Sequence, residues 1–154
     1  MVQDVTFDTN LLMLLIVGSV GREQIATHRR LKSFSSVDYD RLLVLLEGVQ
    51  SIWVTPNVLT ETSNLLRIDG SDQSRPYAVA LHNLIGRGLE VYVPSDVAAA
   101  RSEYQYLGLT DASLLEVATP SRPLLTVDRR LFAAGAAIDP SIVVNVVSLF
   151  EDRQ

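Results

Sequence analysis

Short β-branched and apolar runs alternate along the chain with longer stretches in which apolar residues recur at helical spacing. The short runs predict strands at residues 2–7, 51–54, 90–93, 124–127 and 143–147. The longer stretches predict helices near residues 10–17, 38–50, 57–68, 75–86, 97–106, 111–119 and 129–134. Because parallel strands need crossover helices, this alternation predicts an α/β layered domain around a mainly parallel sheet.

Three polar stretches between these elements, residues 18–36, 69–75 and 120–123, are predicted to be loops. No repeat, low-complexity tract or linker interrupts the pattern. A chain of 154 residues with 47% hydrophobic residues has the size of one domain, which buries roughly 70% of its unfolded surface. We therefore expect a single domain over residues 1–154.

The longest apolar run, residues 11–17, follows Asp4 and Asp8 and no positive charge, so it does not resemble a secretory signal. It is also far shorter than the roughly 20 residues that span a bilayer. With no cysteine in the chain, disulfides, thiolate metal sites and cysteine nucleophiles are excluded. We expect a soluble, cytoplasmic protein without membrane contact, whose helix 11–17 is buried in the core or at an interface with another chain.

The net charge of −5 argues against a broad basic surface of the kind that binds DNA non-specifically. A local basic segment, HRRLK at residues 28–32, is the exception. Its residues Arg29, Arg30 and Lys32 are candidates for contacts to an RNA backbone. The alternative is a solvated loop, or a surface for an acidic partner.

Four carboxylates stand at predicted strand ends or in the helices that follow them. Asp8 follows the first strand, Asp128 follows the fourth, and Glu61 lies in the second turn of the helix after the second strand. Asp111 opens a helix for which Thr110 is the expected N-cap. Since parallel strands with right-handed crossovers end along one edge, all four are predicted to face that edge.

Each carboxylate also has a purely structural interpretation, as a helix cap, a partner of a helix dipole or a solvated residue. A cluster of four needs more, because two unit charges 4 Å apart repel by about 4 kcal/mol at an effective dielectric near 20. Oxygen ligands alone favour Mg²⁺ or Mn²⁺ as the neutralising ion. With no cysteine, His28 and His82 do not complete an ordinary zinc site, and both are predicted to be non-ligands.

Taken together, the segments FDTN, VTPNVLTETSNLL, LTDASLLEVA and LLTVDRRLF resemble the PIN-domain nucleases over nearly the whole chain. The bacterial and archaeal members of this size are mostly VapC-like toxins of toxin–antitoxin pairs. The resemblance implies a three-layer α/β/α sandwich with a sheet of about five strands. It also implies a Mg²⁺ or Mn²⁺ site, endonucleolytic cleavage of single-stranded or loop RNA, a small antitoxin partner and a homodimer.

Carried over residue by residue, the resemblance assigns catalysis and metal binding to Asp8, Glu61, Asp111 and Asp128. It assigns supporting roles to two polar residues, Asn10 and Thr126. This chain departs from the family pattern in two places. The stretch between the first two carboxylates is longer than in the compact toxins, and no acidic residue stands two places after the fourth.

Two other classes of function remain open. Aspartate-dependent phosphatases also begin with an aspartate after the first strand, but they need a late lysine, and the only lysine here is Lys32. A non-catalytic binding module on the same fold would keep the carboxylates for a metal alone. Hydrolysis by a metal-activated water agrees with the four carboxylates and needs no protein nucleophile.

Overall fold

The computed structural model describes residues 3–67 and 72–151. Its sheet has five strands in the order β3-β2-β1-β4-β5, and every neighbouring pair is parallel. The predicted α/β fold class is confirmed, as a three-layer α/β/α arrangement. The strands are β1 Gln3–Phe7, β2 Val49–Val54, β3 Leu89–Glu90, β4 Leu124–Thr126 and β5 Val143–Asn145.

The connections between these strands are mainly helical. The α-helices of the described residues are α1 Thr9–Val20, α2 Ser36–Leu46, α3 Pro56–Leu66, α4 Arg75–Arg87, α5 Ser95–Ala99, α6 Tyr104–Leu107, α7 Leu109–Val117, α8 Arg129–Ile138 and α9 Val146–Glu151. None of these helices has the length and apolar character that a bilayer crossing requires.

Successive strands are added to the sheet on one side of β1 and then on the other, so the strand order reverses between β1 and β4. From β1 the chain proceeds outward through β2 to the edge strand β3, and it then returns across the sheet to β4 and β5. Right-handed crossovers therefore place α1–α4 on one face of the sheet and α5–α8 on the other. The crevice above the carboxyl ends of β1 and β4 is the usual ligand position in such a sheet.

Helix α1 forms the centre of the core on its face of the sheet. Leu11, Leu12, Leu14 and Val17 have no exposed surface, and the helix contacts both α3 and α4. This burial explains why the segment carries no charge: it has no solvated face to supply. Burial in the core of this chain, one of the two expectations for residues 11–17, is therefore confirmed for six of these residues, whereas Leu15 is only partly buried.

The loop predicted at residues 18–36 is confirmed over residues 25–35, which form turns without a helix or strand, and is wrong at residues 18–20, 22–24 and 36. Helix α1 continues to Val20, and a short 3₁₀ helix follows at Arg22–Gln24. Beyond it, Ile25 and Leu31 are fully buried and His28 is nearly so. The basic segment is therefore anchored by buried side chains three residues apart, which is a pattern too short for periodicity to detect.

Two predicted boundaries at the ends of strands are also wrong. Residues 146–147 open helix α9 instead of extending β5, because the Asn145 side chain accepts a hydrogen bond from the Val147 backbone N–H at 3.1 Å. Such a local side-chain bond outweighs the strand preference of valine. The third strand ends at Glu90 and not at residue 93, because its neighbour β2 ends at Val54.

Two predicted helices end or break early. The helix expected over residues 38–50 stops at Leu46, and residues 49–50 belong to β2. The helix expected over 97–106 is two short helices, α5 and α6, separated by a turn in which Arg101 pairs with Glu103 and Glu116. The loop at 120–123 is confirmed as a turn. Residues 2 and 68–71, part of other predicted elements, lie outside the described residues.

Candidate active site

The side chains of Asp8 and Thr126 join the carboxyl ends of β1 and β4. The Thr126 hydroxyl donates to Oδ2 of Asp8, and the Leu11 backbone N–H donates to Oδ1 at 2.9 Å. The Asp128 backbone N–H donates in turn to the Thr126 hydroxyl at 3.0 Å. This chain of hydrogen bonds lies at the point where the strand order reverses.

Asp8 is the N-cap of α1 and is only 3% exposed. Burial raises the pKa of its carboxyl group to about 6, although hydrogen bonds from Thr126, Leu11 and Val127 act in the opposite direction. A capping aspartate at a solvated helix end would have no such elevated pKa. The cap role is therefore real, but it does not account for the depth at which the charge is buried.

Asp128 is the N-cap of α8 and is partly buried. Its Oδ1 accepts hydrogen bonds from the backbone N–H groups of Arg130 at 2.8 Å and Leu131 at 3.0 Å. Its Oδ2 accepts no hydrogen bond within residues 3–67 and 72–151. The carboxylate is thus fixed by one oxygen and presents the other at the carboxyl end of β4.

Glu61 lies in the second turn of α3, as predicted, and is exposed. Its Oε2 accepts a hydrogen bond of 2.9 Å from the Thr110 hydroxyl. The predicted N-cap role of Thr110 is wrong, because α7 begins at Leu109 directly after Gly108, a glycine with φ +88°. Thr110 instead connects α7 to α3 through Glu61.

Asp111 lies in the first turn of α7 and is half-buried. Burial, followed by the negative charges of Asp128, Asp8 and Glu61, raises the pKa of its carboxyl group to about 7. In the described part of the chain, no hydrogen-bond donor or cation pairs with this carboxyl group. The structure therefore brings the four predicted carboxylates into one electrostatically coupled group, with Asp111 as its least compensated member.

The donor set of this group fits a hard divalent cation in its chemistry. All four side chains offer oxygen, and the hydroxyl of Thr9, next to Asp8, is also buried without a hydrogen-bond partner among the described residues. Within that same part of the chain, however, no three His, Cys, Asp or Glu side chains have the spacing of a metal site. Oxygens of Asp8, Glu61 and Asp128 instead accept hydrogen bonds from Thr126, Thr110 and the first turn of α8, respectively.

The second predicted supporting residue, Asn10, lies in the first turn of α1. Its side chain is exposed and forms no hydrogen bond with any residue that the structure describes. Of the two histidines, His82 is exposed on α4, and Nδ1 of His28 accepts a hydrogen bond from the Arg30 backbone N–H at 3.2 Å. Burial, together with Arg29 and Arg30, lowers the pKa of His28.

The side chains of Arg29, Arg30 and Lys32 are all exposed. Arg29 lines a cavity of about 740 Å³, to which Arg67 and Leu65 at the end of α3 also contribute. Leu65 follows Glu61 by one helical turn, so this basic cavity lies beyond Glu61 along α3.

Sequence reasoning missed two neighbours of the carboxylates, Tyr106 and Arg130. The guanidinium of Arg130 donates to the Tyr106 carbonyl oxygen at 3.2 Å and lies 5.7 Å from the centre of the tyrosine ring. The two arginines directly after Asp128 could have suggested a functional arginine next to this carboxylate. Nothing in the sequence, however, predicts that Arg130 contacts Tyr106 on α6.

The comparisons with known proteins return no match, either to a protein family, to a curated protein or to a solved structure.

Proposed function

We propose that this chain is a metal-dependent endoribonuclease that hydrolyses phosphodiester bonds of single-stranded or loop RNA. The observation that carries the proposal is Asp111: a half-buried carboxyl group with a pKa of about 7, three other carboxylates around it and no compensating donor among the described residues. If these residues served only as helix caps, the repulsion between their charges would be unfavourable without any benefit. A cation bound among them explains why this repulsion is tolerated.

The residues that would hold Mg²⁺ or Mn²⁺ are Asp8, Glu61, Asp111 and Asp128. When bound, the ion supplies positive charge against the scissile phosphate and makes a water molecule more acidic for attack. The chain contributes the positions of its carboxylates: Thr126 orients Asp8, Thr110 orients Glu61, and the N-terminus of α8 orients Asp128. In hydrolysis, water attacks phosphorus, the P–O bond to the leaving nucleotide breaks, and that oxygen takes up a proton.

The phosphatase alternative is less well supported, because that chemistry needs a lysine late in the sheet. Lys32, the only lysine in the sequence, lies early, in the segment between α1 and α2.

We also propose that the protein is a cytoplasmic toxin that forms a homodimer and binds a small antitoxin. An apolar cavity of about 550 Å³, lined by residues of α1, α2, β2 and α4, supports the proposed protein partners. The helices α2 and α4 also carry exposed apolar side chains, Leu43, Val44, Val79 and Ile85. Exposed apolar groups of this kind are typical of surfaces that bind proteins. Light scattering after size exclusion tests the dimer.

The experiment that tests the activity is cleavage of an unstructured RNA in Mn²⁺ by the parent protein and by Asp111→Asn. Asparagine keeps the shape but removes the charge, so we expect cleavage by the parent and none by the variant. Glu47→Gln is the matched control, because Glu47 is an acidic residue at the end of α2, outside the carboxylate group. Cleavage by Asp111→Asn at the parental rate would overturn the assignment. Metal binding by a parent that cuts no RNA would favour the non-catalytic module.

A further inference from the structure

Tyr106 is an exposed aromatic residue beside the carboxylate group. It lies on α6, which is joined through the single residue Gly108 to α7, the helix that carries Asp111. Its exposed fraction is 51%. The connection is short, so the position of Tyr106 relative to Asp111 is defined by the backbone.

Arg130 connects this tyrosine to a second member of the group. Its backbone N–H donates to Oδ1 of Asp128 at 2.8 Å, and its guanidinium donates to the carbonyl oxygen of Tyr106 at 3.2 Å. The guanidinium carbon lies 5.7 Å from the centre of the Tyr106 ring, within the range of a cation–π contact. Arg130 therefore contacts both Tyr106 and Asp128.

The Arg130 side chain is exposed and forms no salt bridge with any carboxylate in residues 3–67 and 72–151. A guanidinium has five N–H donors, and only one of them is used within the described structure. An arginine that served only to stabilise the surface would be expected to pair with one of the carboxylates nearby. Here its remaining donors are available to an anion.

An exposed aromatic ring next to an available guanidinium has the chemistry that binds a nucleotide of a single strand. Unpaired bases stack on aromatic side chains with little sequence preference, and arginine contributes to phosphate and to the stack. Bases inside a duplex do not offer their faces in this way. Tyr104, on the same helix and 39% exposed, has no arginine guanidinium against its ring in the described structure and is a natural comparison.

We propose that Tyr106 and Arg130 form a stacking subsite for one unpaired base of single-stranded RNA, with an adjacent phosphate at the Arg130 guanidinium. The inference rests on the proposed function, because it assumes that the bound strand continues to the carboxylates. It adds the positions of two substrate-binding residues and a reason why the substrate is unpaired.

Binding is measured by fluorescence anisotropy in chelator, so that no cleavage occurs. The probes are a single-stranded RNA of mixed sequence and an abasic strand of the same length. Stacking of one base is worth about 5- to 150-fold in affinity. We expect Tyr106→Leu to lose a factor of this size for the RNA and nothing for the abasic strand, and Tyr106→Phe to retain parental affinity.

The control is Tyr104→Leu, for which no change is expected. Arg130→Gln is expected to weaken binding of both strands and to reduce the slope of log affinity against log salt by about 0.7. Parental affinity for RNA in Tyr106→Leu, or a parent that binds neither strand, would overturn the subsite. The same proteins are assayed for cleavage in Mn²⁺. If Tyr106→Leu weakens RNA binding but the parent does not cleave RNA, the nuclease proposal alone is overturned. If the parent cleaves RNA but Tyr106→Leu binds it with parental affinity, the subsite alone is overturned.

Discussion

The hydroxyl of Thr126 donates a hydrogen bond to the carboxylate of Asp8, across 118 residues of sequence and between two adjacent parallel strands. Both side chains are buried at the carboxyl ends of their strands. The bond fixes the most deeply buried charge of the group at the point where the strand order reverses. It therefore links the topology of the sheet directly to the chemistry of the candidate site.

Replacement of Thr126 by valine should remove this donor and the acceptor for the Asp128 N–H. We expect a loss of about 1–3 kcal/mol in the free energy of unfolding, because buried polar partners are left unsatisfied. The pKa of Asp8 should rise further, since a hydrogen bond that lowers it is removed. Thr126→Ser keeps the hydroxyl and should retain most of the stability. Denaturant titrations measure the free energy of unfolding, and an NMR titration measures the pKa of Asp8. If Thr126→Val and Thr126→Ser had the same stability and the same Asp8 pKa, the role of the hydroxyl would be contradicted.

The raised pKa values of Asp8, about 6, and Asp111, about 7, predict how stability depends on pH in chelator. Both exceed the unfolded value of about 3.9, so the folded protein binds more protons than the unfolded chain between these values. Stability should therefore be greatest near pH 4 and fall as the pH rises to about 7, on the order of 3 kcal/mol for Asp8 alone. Asp8→Asn should flatten the profile. A melting temperature that rises as the pH increases from about 4 to about 7 would contradict the raised pKa values of Asp8 and Asp111.

The basic segment predicts a specific salt dependence. Replacing Arg29, Arg30 and Lys32 by alanine should weaken RNA binding for all sequences and reduce the salt slope by roughly 0.7 for each phosphate that is no longer neutralised. Arg87→Ala is the control, because Arg87 ends α4 just before the edge strand β3, away from the basic segment. Anisotropy titrations at several salt concentrations give the slope. An unchanged slope in the triple variant would assign the segment to another partner or to solvent.

Gly108 has φ +88° and ψ 176°, a conformation that L side chains rarely adopt. Gly108→Ala should therefore cost about 1–3 kcal/mol of stability, although an added Cβ would meet no described atom within 4 Å. Gly86 is the matched control: its added Cβ also meets none, but it lies inside α4, so Gly86→Ala should be neutral or stabilise by up to about 1 kcal/mol. Thermal and chemical unfolding measure both variants. If Gly108→Ala and Gly86→Ala changed stability equally, the role of the Gly108 backbone conformation would be contradicted.

Much of the fold follows from the sequence, because the alternation of apolar runs and helical stretches reflects the burial of strands and crossover helices. The four carboxylates could be predicted to meet for a related reason: each stands at the end of a strand or in a helix that begins at that edge of the sheet. Their hydrogen-bond partners could not. Thr126 reaches Asp8, and Thr110 reaches Glu61, through tertiary contacts that no local pattern encodes.

Local pattern also misled where one residue decided the structure. Thr110 has the chemistry of an N-cap, but the left-handed conformation of Gly108 begins the helix earlier, at Leu109. Ile25 and Leu31 lie in a polar stretch without periodicity, and only the packed structure reveals that they anchor the basic segment. The valines after Asn145 favour a strand, but its side chain starts a helix.

We infer that the charge of Asp111 destabilises the metal-free fold and serves to hold a cation. Thermal melts of the parent and of Asp111→Asn, each in chelator and in Mn²⁺, test this inference most directly. We expect the variant in chelator to be as stable as the parent or more so, because repulsion is relieved. We also expect Mn²⁺ to stabilise the parent, by about 2.7 kcal/mol at a hundredfold excess over its Kd, and to leave the variant unchanged. A variant that loses roughly 0.5–1 kcal/mol, as expected for a missing dipole partner, and that still gains stability from Mn²⁺ would contradict it.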